Sequence, residues 1–264
     1  MSKPIRKGNN LIILIPGLGF TSDIFIKIIP QLKNISDVLT FDFFNSSDPL
    51  QNNTNGLNHF TEKLHDMVLA HNDANITLIG WSAGMTIAVN LLSLYSCENI
   101  SKLIGIEQTP YLLSEDTWPY SVFGKFNLDD ANDFLKLIEC NYTLFADSLT
   151  KVLAPIGEQY DKKHLNHLLL DMNKSSPIVV RNLFNDIIKF DIREKIRQID
   201  IPFIFFRGKK SRVYPMDISK WYMENCQYFH YTEFIKSGHM PFIDEPDKFI
   251  FSIDHYIFKK YLKG

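Results

Sequence analysis

Gly80-Trp81-Ser82-Ala83-Gly84 is the stretch on which the fold turns. Apolar residues 76–79 lead into it. Residues 83–96 leave it with Met85, Ala88, Val89, Leu92 and Tyr95 at helical spacing. Strand, sharp turn and helix in that order put one hydroxyl at the tip of the turn, open to a reacting group. Such a turn holds its serine in a strained backbone conformation, and the flanking glycines admit neighbouring chain that a Cβ would block. The alternative is an ordinary strand-to-helix loop whose serine caps the helix.

Outward from this turn, short apolar runs alternate with amphipathic stretches. Residues 11–15, 38–43 and 103–106 read as buried strands, and residues 23–32 and 57–70 as helices. The rhythm resumes near residue 200, with strands at 202–206 and 228–234, a helix at 216–224 and a closing helix at 246–261. Strands rich in Ile, Leu and Phe, separated by helices, indicate an α/β fold with a mostly parallel central sheet flanked by helices. Residues 111–195 have another texture. They carry helical patterns at 131–145, 164–172 and 179–188, no convincing buried strand, and Trp118, Tyr120, Phe123 and Phe126 close together. We read a core of residues 1–110 and 196–264, with 111–195 inserted as a helical cap over the sheet's carboxyl edge, where open α/β folds bind ligands. Trp81, Trp118 and Phe123 are the expected pocket residues; at least half of the insertion's aromatics are its own core.

The 264 residues suffice for one α/β domain with an insertion. A net charge of −2, with basic residues dispersed, gives no case for nucleic acid or an anionic membrane as partner. The clusters Arg207-Gly208-Lys209-Lys210 and Lys259-Lys260 read as solvated surface. Cys97, Cys140 and Cys226 show neither metal spacing nor an even count, and fit buried thiols in a reducing compartment. Residues 1–7 are basic, but residues 11–15 are too short for a signal core and run into Pro16-Gly17. No apolar run is long enough to span a bilayer. The cytoplasm is the expected location.

A serine is a weak nucleophile and needs a base within hydrogen-bond reach. Of eight histidines, His239 stands apart, in Ser237-Gly238-His239-Met240-Pro241-Phe242 after the last expected strand. A loop there can swing the imidazole over the turn at Ser82. His59, His65, His71, His164, His167 and His255 sit in or beside helical patterns and His230 in a strand, so they read as surface or packing residues.

Together, Pro16-Gly17-Leu18-Gly19-Phe20 after the first strand, Gly80-Trp81-Ser82-Ala83-Gly84 and the late Gly238-His239 resemble the α/β-hydrolase superfamily over nearly the whole chain. The resemblance implies an eight-stranded sheet with a cap after the sixth strand. It also implies an oxyanion hole from the backbone N–H groups of Leu18 and Ala83, which suits acyl transfer because fixed donors meet the charge that develops on the carbonyl oxygen. The family's usual acid, an aspartate after the seventh strand, is missing. Ser211 stands in its place and cannot supply the charge that orients and stabilises the imidazole. Glu107, in Ile106-Glu107-Gln108-Thr109-Pro110, is the better candidate, since some branches carry the acid after the sixth strand. Asp217 is the alternative, and Asp42 reads as structural.

The function implied is a serine hydrolase acting on a carboxylic ester or thioester of a small-molecule acyl substrate. Ser82 is the nucleophile, His239 the base and Glu107 its orienting acid, with no metal or organic cofactor. A C–C hydrolase or lyase on the same site, or a non-catalytic small-molecule binder, are the alternatives.

Overall fold

Strands that are apolar on both faces need cover on both sides, and the helices between them supply it. The computed structural model describes residues 9–43 and 56–258. Its sheet has six strands: β1 Asn10–Ile15, β2 Asp37–Thr40, β3 Asn75–Trp81, β4 Ile100–Ile106, β5 Phe203–Gly208 and β6 Phe229–Phe234. Their order is β2-β1-β3-β4-β5-β6, and every neighbouring pair is parallel. The eight strands implied by the resemblance are therefore six among the described residues, and residues 111–195 follow the fourth.

The helices are α1 Ile29–Leu32, α2 Leu57–Leu69, α3 Ala83–Leu94, α4 Leu128–Cys140, α5 Tyr142–Val152, α6 Lys162–Met172, α7 Pro177–Ile188, α8 Arg193–Arg197, α9 Ile218–Asn225, α10 Pro241–Asp244 and α11 Pro246–Phe258. Helices α4 to α8 all lie between β4 and β5. Among the described residues no helix is long and apolar enough to cross a membrane.

Several elements depart from expectation, each for a local reason. Residues 23–32 form no single helix but a 3-10 turn, Ser22–Phe25, and the one-turn α1, which carries Pro30 in its first turn. Residues 38–43 leave the sheet after Thr40, and Asp42 instead accepts from the N–H and the hydroxyl of Ser22, the structural role expected of it. The pattern at 131–145 is broken by Asn141 (φ −153°, ψ 73°), which ends α4 and caps α5 by accepting the Leu144 N–H at 3.1 Å. Cys226 is buried, but Cys97 is half-buried and Cys140 exposed, so the three are not uniformly buried thiols. Arg207 is no surface residue. It lies in β5 only 1% exposed, donating to the carbonyls of Gly208 (3.1 Å) and Tyr214 (3.2 Å). Residues 1–7, Lys259-Lys260 and the end of the closing helix fall outside the described residues.

The turn at Ser82 has the backbone its sequence implies. Ser82 adopts φ 51° and ψ −119°, and its side chain makes no capping bond to α3, which removes the helix-cap alternative. A Cβ on Gly80 would stand 2.6 Å from the Met85 backbone, and one on Gly84 2.4 Å from the Ile15 carbonyl oxygen. Backbone on both sides leaves nothing to yield. Gly84→Ala is expected to destabilise the protein by about 1–3 kcal/mol. A urea midpoint equal to wild type would contradict this packing.

Candidate active site

In a parallel sheet every carboxyl end points to one edge, so loops remote in sequence meet there. Ser82 follows β3, Glu107 follows β4, Tyr214 lies beyond β5 and His239 beyond β6. The sheet ladder runs one step past the strands: the Ser82 N–H donates to Ile106 O at 2.9 Å and the Glu107 N–H to Phe206 O at 3.0 Å. Ser82 and Glu107 are thereby set by the same ladder as the core. Glu107 has φ 48°, a left-handed backbone that costs a non-glycine residue roughly 1–3 kcal/mol.

The Glu107 side chain is fully buried. Its Oε2 lies 3.2 Å from His239 Nδ1, and its Oε1 accepts the Gly208 N–H at 2.8 Å. A carboxylate accepts only, so His239 carries its proton on Nδ1 and leaves Nε2 as a free acceptor. The His239 backbone is pinned as well: its N–H donates to Leu153 O at 3.1 Å, and its carbonyl accepts the Trp81 indole N–H at 3.0 Å. The Trp81 and Tyr214 rings lie against the imidazole, at 5.5 and 5.6 Å between centroids.

Ser82 and His239 line one cavity, together with Leu18, Ala83, Trp81 and Phe123. Ala83 opens α3, so its N–H has no acceptor within the helix and sits at the positive end of the helix dipole. Away from these groups the wall is apolar. Phe134 is its centre, with ring centroids 5.4–6.2 Å from Phe123, Phe126, Phe145 and Phe184. No ring contact joins this box to Trp81 or His239 among the described residues.

Trp118 does not line the cavity. It packs on Trp221 and Tyr120, and its indole N–H donates to Tyr111 O at 2.9 Å, which holds it against α9. Asp217 is exposed at the start of α9 and touches none of the site residues, while buried Ser211 accepts the Val213 N–H at 3.2 Å within a turn. The sequence reading missed Tyr214, Gln108 and the box around Phe134. Tyr214-Pro215 and Phe134 sit in ordinary loop and helix patterns, so nothing local marked them.

Hydrogen bonds tie the 111–195 segment to the sheet's edge. Thr21 donates its N–H (3.0 Å) and hydroxyl to the buried Asp171 carboxylate on α6, and the Leu57 N–H donates to Asp186 on α7 at 2.9 Å. Tyr160 donates to Asp244 at 2.8 Å, and Asp244 also accepts the N–H of Gly238, beside His239, at 2.8 Å. Helix α8, which spans residue 195, packs on α3. Of the other histidines, His65 stacks on Tyr95 at 3.8 Å and His164 pairs with Asp161 at 2.9 Å, both as packing or surface groups. No group of three or more His, Cys, Asp or Glu side chains that could hold a metal stands together among the described residues.

A parallel sheet with a serine on a strained strand-to-helix turn, and a histidine and buried carboxylate at the same edge, defines the α/β-hydrolase class. The family model described as alpha/beta hydrolase fold matches residues 10–246, and the chain belongs to that family. The pimeloyl-[acyl-carrier protein] methyl ester esterase of Legionella pneumophila (strain Corby) is 24% identical over 250 residues, covering 93% of this chain and 94% of that one. Two solved structures share the fold: a bromoperoxidase from Bacillus anthracis (TM-score 0.85, 19% identity, 95% and 92% of the two chains) and the esterase EaEST from Exiguobacterium antarcticum (TM-score 0.84, 18% identity, 95% and 92%).

Burial pushes the Asp244 carboxyl up to about 6, with Glu158 and Glu245 adding to the rise and the Tyr160 and Gly238 donors opposing it. A carboxyl raised in the folded state binds its proton more tightly there than in the unfolded chain. Its contribution to stability is thus fully present below the ordinary carboxylate range and is lost as pH rises through about 6. Asp244→Asn is expected to remove that decline between about pH 4 and 6. Parallel curves of melting temperature against pH for wild type and variant would refute this.

Proposed function

We propose that this protein is a carboxylic ester hydrolase of the α/β-hydrolase type, cleaving an ester or thioester of a small to medium acyl substrate through an acyl-enzyme on Ser82. The observation that carries the reading is the buried Glu107–His239 pair, 3.2 Å apart, whose imidazole opens on the same cavity as Ser82. His239 Nε2 takes the serine proton as Oγ attacks the carbonyl carbon, and Glu107 holds the tautomer and stabilises the imidazolium. The N–H groups of Leu18 and Ala83 receive the oxyanion. His239 then protonates the leaving alcohol or thiol, and water completes the cycle by the same route in reverse. Residues 111–195 act as the cap over the core of residues 1–110 and 196–264, and the box around Phe134 receives an uncharged acyl chain. The esterase activity named for the Legionella relative supports this reaction class. No metal or organic cofactor enters the scheme.

Intact mass after mixing with a p-nitrophenyl ester tests the acyl-enzyme directly. Wild type is expected to gain the acyl mass transiently, and Ser82→Ala to gain none and lose turnover. Turnover without an adduct would refute the acyl-enzyme, and ligand binding without turnover points to a lyase acting on another substrate or to a non-catalytic binder. Glu107→Gln presents an amide to Nδ1 and favours the wrong tautomer, a change on the order of 10⁴-fold in turnover for an analogous triad. Asp217→Asn is expected to leave turnover unchanged, so equal rates for the two variants would move the acid elsewhere.

Phe134→Ala should lengthen the acyl chain preferred in a p-nitrophenyl ester series and lower kcat/KM for short chains by about 10-fold. An unchanged chain-length profile would place the acyl group outside this box.

A further inference from the structure

Beside Ser82 lies a buried polar group that the proposed triad does not use. Tyr214 lines the cavity with Ser82, His239 and Gln108, its ring 5.6 Å from the His239 ring between centroids. Its own proton is committed elsewhere. Gln108 Oε1 accepts the Thr109 backbone N–H at 2.9 Å, and a backbone N–H can only donate, so the atom facing it is the amide oxygen. Gln108 Nε2 donates to Thr86 Oγ1 at 2.9 Å, which agrees with that orientation. The Tyr214 hydroxyl faces the same Gln108 Oε1 and must therefore donate to it. The Tyr222 hydroxyl holds the Gln108 carbonyl at 2.9 Å, fixing the residue from behind. Burial also pushes the Tyr214 phenol above its ordinary range, so the proton stays on it.

A phenol has one proton. With that proton given to Gln108, Tyr214 offers the cavity lone pairs and nothing else. It cannot be an oxyanion donor. Ser82 also has one proton, and acylation sends it to His239 Nε2, so none is left for Tyr214. Once Ser82 is acylated, Oγ has no proton to give to either acceptor. A water molecule brings one for each.

We propose that Tyr214 positions the hydrolytic water, with Gln108 as the positioning residue that keeps the phenol an acceptor; this rests on the acyl-enzyme reading above. The water gives one hydrogen bond to His239 Nε2 and the other to Tyr214 Oη. Its oxygen attacks the acyl carbon as its first proton passes to Nε2. The tetrahedral intermediate then collapses, the bond from carbon to Ser82 Oγ breaks, and His239 returns the proton to Oγ. The carboxylic acid leaves with the second water proton still on its oxygen. Tyr214 thus serves deacylation and not acylation, and it selects water, which has two protons to give, over an alcohol, which has one.

Rapid mixing of Tyr214→Phe with excess p-nitrophenyl ester separates the two steps. The variant keeps the ring, and Gln108 Oε1 keeps the Thr109 N–H. A burst of p-nitrophenol equal to the enzyme is expected at a rate within about 2-fold of wild type, followed by a steady state slowed about 10-fold, near 1.4 kcal/mol. The acyl adduct should accumulate on Ser82. Equal slowing of burst and steady state, loss of the burst, or an unchanged steady state would each overturn the assignment.

A second measurement needs no variant. In water–methanol mixtures the wild-type acyl-enzyme is expected to form acid faster than methyl ester, molar concentration for molar concentration. Methanolysis at an equal or greater rate would also overturn it. Failure of wild type to form any acyl adduct would instead defeat the serine hydrolase reading itself, so the two failures are distinguishable.

Discussion

The hydrogen bond between Glu107 and His239 joins the end of β4 to the loop beyond β6, across the end of β5. Neighbouring strands lie about 4.8 Å apart, so the two elements are separated by roughly 10 Å at the sheet. Closing that gap takes a long carboxylate turned upward by a left-handed backbone and a histidine on a loop that folds back. Between them the β5 end contributes a backbone N–H, from Gly208, where the family more often places a carboxylate. The carboxylate that meets His239 thus comes from the end of β4, and the end of β5 helps to hold it. Two donors on one buried carboxylate make this contact strong, and removing either partner would leave a buried polar group unmet.

The 111–195 segment is fastened to the same edge by three carboxylates, Asp171 buried and the other two half-buried, each reaching across the boundary. Asp171 holds Thr21, next to the loop that carries Leu18. Asp186 holds the start of α2. Asp244 holds both Tyr160 of the segment and the amide next to His239. Position of the segment and position of the imidazole are therefore linked by single side chains. The cavity between has a polar end at the sheet and an aromatic end around Phe134, a division that suits a reacting carbonyl with an apolar chain behind it.

Gln108 is a neutral residue that fixes the hydrogen-bonding role of its neighbour. One amide oxygen, fixed by a backbone N–H, takes the only proton Tyr214 has and leaves the phenol an acceptor. The residue after Glu107 thus sets the polarity of a group that lines the cavity with Ser82.

Much of this was written locally. The turn at Ser82 was legible because its glycines and its flanking strand and helix are a property of a few consecutive residues. His239 was legible because Gly238-His239 stands alone between a strand and a closing helix. Glu107 could be named only as one of several carboxylates, since whether it or Asp217 faces the imidazole depends on strand order. The break at Asn141, the burial of Arg207 and the removal of Trp118 from the cavity were not visible, because helical periodicity and charge do not reveal what packs against them. Sequence alone determined the parallel α/β architecture and the strained serine, through hydrophobic period and glycine placement. Tertiary structure alone decided which carboxylate meets the histidine, which aromatics form the pocket and where the Tyr214 proton goes, because those depend on contacts between residues up to 158 positions apart.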